Sequence, residues 1–550
     1  MAAQGPYETV KASPLSESIS RRARPLFLAV FAAVVLLGLI ATANVSSLMS
    51  ARALERRREI DVRRALGASV LAVARLGRVE AATLVAAGGI VGVMAAPLLI
   101  GVMMRLLPDS VVLLKPAELD WRVAAFVVLT LAAMGMLVSI APIRRSLVLA
   151  GTQSRGASER VRTPGRLIVV GSQVSVAFVL TVVGACLVGS LLTVYAKDRP
   201  IQIPGVVTVD VMFLGRGDSM AVSPERTVRE QRVREGLAQV PGVMAAGATA
   251  AQVLRGGGAM TWFLAPTGAR HPHNIDTWAV TEGFYDVIEP QVVSGRVPTK
   301  EELRSNTPLI VVSERAAQAY WPGRAAVGET LTDQQTKLAF SVVGVVKDVR
   351  WVAWDVESPV TYAPYGAVGR APWVTYFIRT NANTGRVTTD VLKAIEAADP
   401  LARPSRAGTL DALFRDSVSL RRFQSWLFGG FAAAALVVVG VGIFGLLAMS
   451  TARRTKEVGI RCALGATPTS VVGLILREQA TAVVAGLIVG GGIAAWAVRF
   501  VKGYLYELTV TDPRIWATAT ALILFTAVVG ALIPAWRASR IDPLKALRVE

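Results

Sequence analysis

Long apolar stretches alternate with short polar segments over most of this chain. Seven of the stretches run for about 20 residues with few charges, the length that a helix needs to cross the hydrocarbon core of a bilayer. No signal-peptide pattern precedes the first stretch. The pattern predicts seven transmembrane helices, near residues 26–49, 81–104, 122–142, 167–195, 425–449, 480–498 and 515–535.

The block between the fourth and fifth apolar stretches, 196–420, is mixed in polarity and compatible with water. The segments "VVTVDVMF" and "FSVVGVV" have the β-branched content of strands. The segment "ERTVREQRVREGLAQV" consists of helix formers and stops at Pro241-Gly242. The expected fold class is an α-helical polytopic membrane protein with about seven transmembrane helices and one α/β domain.

Composition excludes an ordinary soluble protein. The hydrophobic fraction is 53%, only 18% of residues are charged and the mean hydropathy is +0.49. The net charge of +20 would indicate a nucleic-acid partner in a soluble protein. Here the basic residues cluster beside helix ends, so membrane topology explains the excess and we expect no nucleic-acid partner.

The distribution of Lys and Arg predicts the topology. The segments 50–69, 143–166 and 450–468 and the C-terminal tail are rich in arginine, whereas the loops 106–121 and 503–513 hold only Lys115 between them. The basic segments and the C-terminus are therefore expected in the cytoplasm, with the block 196–420 on the outer side. One cluster contradicts this order, because three arginines precede the first helix on the side predicted to be external: Arg21, Arg22 and Arg24.

One basic segment occurs twice. "REIDVRRALGAS" at 58–69 and "KEVGIRCALGAT" at 456–467 align at a constant offset. The same offset aligns a second pattern, the G-x-x-x-G of Gly88 and Gly92 with that of Gly486 and Gly490. Two related modules therefore follow one another in the chain. Glycines at this spacing permit close helix contact, so all four are predicted to lie at helix-packing positions.

The repeated segment has the residues of a helix that ends and a new helix that begins. Gly67 and Gly465 suit the position just after a helix, where a left-handed conformation is common. Ser69 and Thr467 suit the N-cap of the next helix, and Pro468 suits its first turn. Simple anchoring at the cytoplasmic surface is the alternative interpretation. Anchoring needs positive charges but no particular turn, so the repeated break favours a docking element.

These segments resemble the cytoplasmic coupling segment of ABC transporter permeases of the MacB/FtsX/Lol type. "ANVSSL" at 43–48 resembles the helix before it, and "SGRVPTKEE" and "FSVVGVVKDVR" resemble the family's periplasmic core domain. The resemblance implies a multi-pass protein of the bacterial inner membrane with residues 196–420 periplasmic and the C-terminus cytoplasmic. It also implies contact with an ATPase through the repeated segments, at Glu59, Arg63, Arg64, Leu66, Gly67, Glu457, Arg461, Leu464 and Gly465.

The duplication resembles a subgroup of fused permeases, in which a helix and an external block would precede residue 26. The chain is therefore expected to lack the N-terminal third of such a protein. The predicted organisation is a remnant of a periplasmic segment, a first FtsX-like module, a cytoplasmic linker, a transmembrane helix, a MacB-like periplasmic core and a second FtsX-like module, over 1–25, 26–148, 149–166, 167–195, 196–420 and 421–550.

Neither the phosphate-binding motif of an ATPase nor a catalytic set is found in the sequence. The nearest match to a phosphate-binding loop, "GRAAVGET", carries Glu329 where the loop needs lysine, and a carboxylate would repel phosphate. It is predicted to be a turn before a strand. His271 and His273 are the only histidines, too few for a metal site of three protein ligands. We expect no enzyme activity, metal or cofactor in this chain, with ATP bound by a separate subunit.

Three functions remain open at this stage. The first is a permease subunit that couples a separate ATPase to movement of the periplasmic domain, for efflux or for export of lipoproteins, lipids or peptides. The second is an FtsX-like regulator whose external block binds a periplasmic partner, a cell-wall hydrolase. The third is a truncated inactive remnant. The expected partners are an ABC ATPase subunit, the lipid bilayer and a periplasmic protein.

Overall fold

The chain divides into two compact units. A helical unit comprises Met1–Leu192 and Arg421–Glu550, and a sheet unit comprises Thr193–Leu420. The computed structural model describes residues 15–55, 59, 62–63, 66, 69–106, 120–151, 163–197, 205–213, 224–251, 253–254, 259–261, 263–264, 275–333, 337–349, 351, 359–368, 373–453, 467–501, 505 and 511–539.

Seven helices in the described part of the chain are long and apolar enough to cross a membrane, which confirms the predicted number. They are α1 (Leu15–Glu55), α2 (Val70–Leu106), α3 (Trp121–Gly151), α4 (Thr163–Lys197), α11 (Ser419–Arg453), α12 (Pro468–Ala497) and α13 (Pro513–Ser539).

The first helix extends beyond its apolar stretch. Residues 15–25, part of the predicted periplasmic segment 1–25, continue α1 without a break, and their location relative to the membrane remains a prediction. The sequence "LSESISRRAR" consists mainly of residues that tolerate a helix, so the backbone remains helical beyond the apolar stretch. An apolar window marks the part of a helix that lies in lipid and does not mark the end of the helix.

The outer surface of the helical unit is apolar. Along α2, the side chains of Val91, Met94 and Leu98 are mostly exposed. Exposed apolar side chains in such density fit a lipid environment, where each backbone group is satisfied inside its own helix. The chain is a multi-pass membrane protein.

The interior of the helical unit is built around α4, the most buried of the seven helices. It contacts α11 closely at Gly184, where an added Cβ would lie 2.9 Å from the carbonyl oxygen of Phe428. Near this contact the Ser425 hydroxyl donates to the carbonyl oxygen of Leu187 at 2.9 Å. Close backbone approach combined with an interhelical hydrogen bond is the usual way in which membrane helices associate.

The sheet unit contains a mixed sheet of twelve described strands in the order β12-β1-β11-β2-β5-β10-β7-β9-β8-β4, with β3 beside β5 and β6 beside β9. The strands are β1 (Val206–Phe213), β2 (Val243–Thr249), β3 (Ala259–Thr261), β4 (Phe263–Leu264), β5 (Ile275–Val280), β6 (Val292–Gly295), β7 (Leu309–Ser313), β8 (Thr330–Asp333), β9 (Ala339–Val346), β10 (Val360–Pro364), β11 (Trp373–Thr380) and β12 (Ala402–Thr409). The helices are α5 (Pro224–Ala238), α6 (Phe284–Ile288), α7 (Lys300–Arg304), α8 (Glu314–Tyr320), α9 (Thr384–Ala398) and α10 (Leu410–Ser417). The predicted α/β domain is confirmed, including the strands β1 and β9 and the helix α5.

The turn predicted for "GRAAVGET" is also present. Gly323 and Gly328 have φ angles of 73° and 92°, and β8 begins at Thr330. Glycine occupies a left-handed conformation without the steric cost that a side chain imposes. The segment is therefore a turn that leads into a strand, as the carboxylate of Glu329 at the lysine position indicated.

Trp351 lies in the core of the sheet unit, 3% exposed. Its ring stacks on that of Trp278 with centroids 4.3 Å apart, and its Nε1 donates to the Tyr362 hydroxyl at 2.5 Å. Burial among aromatic rings raises the pKa of Tyr362 well above its ordinary value. Trp351 thus packs inside the unit and is not presented to a partner.

Candidate functional site

The first copy of the repeated segment lies between α1, which ends at Glu55, and α2, which begins at Val70. Within it the amide of Leu66 donates to the carbonyl oxygen of Val62 at 3.0 Å, the spacing of an α-helical turn. On the same turn Arg63 Nη2 lies 2.6 Å from Glu59 Oε1. Charge pairs four residues apart support a helix only weakly, so this pair orients the two side chains more than it stabilises the turn.

This turn presents both charged and apolar side chains to its surroundings. The side chain of Leu66 is 83% exposed, and those of Arg63 and Glu59 are about half exposed. Val62 is also exposed. Adjacent exposed apolar side chains outside a membrane span are compatible with a surface that another protein covers.

The helix that follows each repeated segment begins where the sequence predicts. α2 starts directly after Ser69, and α12 starts directly after Thr467 with Pro468 in its first turn. Thr467 has an extended conformation, and its hydroxyl accepts a hydrogen bond from the amide of Ser470 at 3.4 Å. The remaining predicted coupling residues lie outside the described residues: Arg64, Gly67, Glu457, Arg461, Leu464 and Gly465.

The two G-x-x-x-G patterns have different surroundings. A Cβ on Gly486 would lie 2.6 Å from the carbonyl oxygen of Gly171, and one on Gly490 would lie 2.8 Å from that of Ser175. Both distances are shorter than a Cβ tolerates, so α12 approaches the backbone of α4 at both glycines. Gly88 and Gly92 have no described atom within 4 Å of such a Cβ. Among the described residues, close backbone contact is therefore made by Gly486 and Gly490 and not by Gly88 and Gly92.

Sequence reasoning did not single out Asn44, which lies inside the apolar stretch of α1. Its side chain is 7% exposed, and its Nδ2 donates to the carbonyl oxygen of Val438 on α11 at 2.6 Å. A polar side chain within a transmembrane stretch was the available signal, because such residues usually pair with another helix. Its partner is 394 residues away in the chain, too far for any local pattern to identify.

Two family models match this chain. The model described as FtsX-like permease C-terminal matches residues 31–150 and again residues 429–543. The model described as MacB-like periplasmic core domain matches residues 167–398. The double match corresponds to the two modules that the sequence repeat relates.

Curated relatives include an ATP-binding/permease protein and a permease. The chain is 26% identical over 289 residues to the macrolide export ATP-binding/permease protein MacB of Neisseria meningitidis, covering 49% of this chain and 43% of that protein. It is 22% identical over 401 residues to the uncharacterized ABC transporter permease YknZ of Bacillus subtilis, covering 68% of this chain and 95% of that protein. The chain thus spans less than half the length of the MacB relatives.

Solved structures resemble part of the chain. The extracellular domain of the ABC-type transporter YknZ from Gram-positive bacteria covers 36% of this chain and 100% of its own, at 14% identity and a TM-score of 0.26. The periplasmic region of MacB from Actinobacillus actinomycetemcomitans covers 39% of this chain and 94% of its own, at 15% identity and a TM-score of 0.29.

Proposed function

Because the chain belongs to the MacB/FtsX type of ABC transporter permeases, we propose that it is the permease subunit that couples a separate cytoplasmic ATPase to movement of the sheet unit. The ATPase binds and hydrolyses ATP, and this chain transmits the resulting motion across the membrane. The inner membrane of a bacterium is the proposed location, with the sheet unit in the periplasm.

The exposure of Leu66 carries this proposal. Its side chain lies beyond the end of α1 and outside the predicted membrane span, yet it is 83% exposed. An exposed leucine beside an arginine costs free energy in water and is favourable once a partner covers it. The family resemblance names that partner as an ABC ATPase.

Chain continuity supports transmission of motion from this contact. The docking turn is joined to α1 on one side and to α2 on the other, and α2 is one helix of 37 residues. A push on the turn therefore acts on two membrane helices. The second repeated segment is joined in the same way to α11 and α12, and α11 begins shortly after the last helix of the sheet unit ends at Ser417.

The proposed output is export. The Neisseria relatives are named for macrolide export. We extend to this chain the coarser activity, export of an amphipathic molecule driven by movement of the sheet unit. No path for the cargo through the seven helices is part of the proposal.

Photo-crosslinking at Leu66 tests the docking assignment. A photoreactive phenylalanine analogue at position 66, in cells of the native host, is expected to capture a protein that carries a nucleotide-binding loop, identified by mass spectrometry. The matched control is the same analogue at Met136, an exposed position on α3 within the predicted span, which should capture no ATPase. Capture at Met136 and not at Leu66 would contradict the proposal.

Charge reversal then tests whether the proposed contact couples ATP hydrolysis to this chain. Arg63→Glu, Arg64→Glu and Arg461→Glu together should abolish crosslinking and lower substrate-stimulated ATPase activity about tenfold or more, because reversing the charges of an interface is costly when the partner surface is complementary to them. Arg105→Glu, on the last turn of α2, serves as the matched control. Full ATPase binding and coupling in the triple variant would rule out the assignment.

A further inference from the structure

Helix α1 of the first module and helix α11 of the second contact each other at an asparagine and a glycine. Asn44 donates from Nδ2 to the carbonyl oxygen of Val438 at 2.6 Å. A Cβ on Gly442 would lie 2.8 Å from Asn44 Cγ and would also collide with its Oδ1. Asn44 therefore fills a space that is open only because residue 442 has no side chain.

The two positions are equivalent in the repeat. The constant offset that aligns Glu59 with Glu457 also aligns Asn44 with Gly442, and it aligns Ile40 with Val438. Equivalent positions that face each other define the axis of an approximately two-fold interface, as in a homodimer. At this axis the two modules differ, because one carries the large polar side chain and the other carries none.

The contact continues along the same pair of helices. A Cβ on Gly445 would lie 2.9 Å from Leu48 Cδ2. Gly445 is one turn beyond Gly442 and Leu48 is one turn beyond Asn44, so the same faces remain together toward the ends of both helices.

We propose that Asn44 and Gly442 determine which partner each module accepts, so that the first module pairs with the second module of the same chain and not with its own copy in another chain. Two first modules would place two asparagines where there is room for one. Two second modules would place two glycines opposite each other and lose the hydrogen bond. Only the mixed pair both fits and satisfies the amide, which combines a favourable contact with rejection of the alternatives. This inference rests on the helical unit alone and holds whether or not the chain drives export.

A reciprocal exchange of the two residues tests this pairing. The readout is a disulfide between Leu48→Cys and Gly445→Cys in the full-length membrane protein, with Cys186→Ala and Cys462→Ala. Leu48→Cys removes the Cδ atoms that a side chain at position 445 would meet, and the short distance between positions 48 and 445 suits a disulfide. A specific protease site placed between residues 152 and 162 then separates the modules. Fragments that stay joined at the mass of one chain report pairing within the chain, and a product of twice that mass before cleavage reports pairing between chains.

The parent protein should give the product within one chain. Asn44→Gly should lower its yield about two- to tenfold, the range expected for loss of one buried hydrogen bond. Gly442→Asn should lower the yield further, because two side chains then compete for one space. The double exchange Asn44→Gly with Gly442→Asn should restore the yield to within about twofold, since the new asparagine can donate to the carbonyl oxygen of Ile40 as Asn44 does to that of Val438.

Gly88→Asn is the matched control, because it places the same side chain in a membrane helix at a glycine with open space around it. Its yield should equal that of the parent. An exchange variant as low in yield as Gly442→Asn would overturn the proposal. So would an unchanged yield in Asn44→Gly, or a parent product formed between chains.

Discussion

At the scale of the single residue, Glu302 illustrates how one carboxylate organises a short helix of the sheet unit. Its Oε2 accepts a hydrogen bond from the amide of Thr299 at 2.7 Å, and its own amide donates to the Thr299 hydroxyl at 3.2 Å. Arg296 donates to both carboxylate oxygens, at 2.7 and 2.6 Å. The hydrogen bonds from Arg296, and then that from Thr299, lower the pKa of Glu302 to about 2.

This depressed pKa predicts an acid-dependent loss of stability. The unfolded carboxyl has a pKa of about 4.3, so the contribution of Glu302 is fully present above that pH and is lost as the pH falls toward about 2. Glu302→Gln should therefore lower the melting temperature at pH 6. The difference in melting temperature between the variant and the parent should be smaller at pH 2.5, as followed by tryptophan fluorescence. The cost should stay below about 1 kcal/mol, because Arg296 is half exposed and its charge is screened.

Glu301→Gln, on the same turn of α7, is the control for removal of a negative charge near a helix N-terminus. It should show a smaller difference at pH 6. Equal destabilisation by the two substitutions would mean that the general helix charge, and not the Arg296 and Thr299 contacts, accounts for the effect.

At the scale of the element, the two G-x-x-x-G helices form a matched pair within one chain. Gly490→Ala should destabilise the helical unit by about 1–3 kcal/mol, because the added methyl would lie 2.8 Å from the carbonyl oxygen of Ser175 and would force α4 and α12 apart. Gly92→Ala should be neutral or slightly stabilising, since it meets no described atom and alanine favours a helix. Thermal unfolding of both variants in the same detergent measures the difference. Equal loss of stability in the two would show that α2 is packed at this face as tightly as α12.

At the scale of the whole molecule, the arrangement of charges predicts which parts of the chain face each side of the membrane. In a protein with Cys186 and Cys462 replaced, Ser305→Cys should react with a membrane-impermeant thiol reagent in cells whose outer membrane is permeabilised. Ser154→Cys and Ser450→Cys should stay unlabelled until the inner membrane is disrupted, because arginine-rich segments remain in the cytoplasm. Labelling at Ser450 from outside would reverse the proposed orientation of the second module.

Local sequence patterns were sufficient to predict the membrane helices and where α12 begins. The seven helices are predicted by the length of the apolar stretches, since a continuous apolar segment of that length crosses a bilayer as a helix, which satisfies its own backbone groups. The start of α12 follows from Thr467 and Pro468, because capping depends on residues within one turn. The repeated basic segment is likewise identified by its repetition, and all of its contacts with an ATPase remain predictions.

Only the tertiary structure decided which of these features meet. The two G-x-x-x-G patterns have different surroundings, because Gly486 and Gly490 lie against the backbone of α4, whereas a Cβ on Gly88 or Gly92 would meet no described atom within 4 Å. In the sequence Asn44 is a polar residue in an apolar stretch, and its partners cannot be identified. The structure shows that it contacts Val438 and Gly442. Helix formation depends on neighbours in sequence. Helix pairing depends on residues hundreds of positions apart, and a local periodic pattern does not show which of these residues will be in contact.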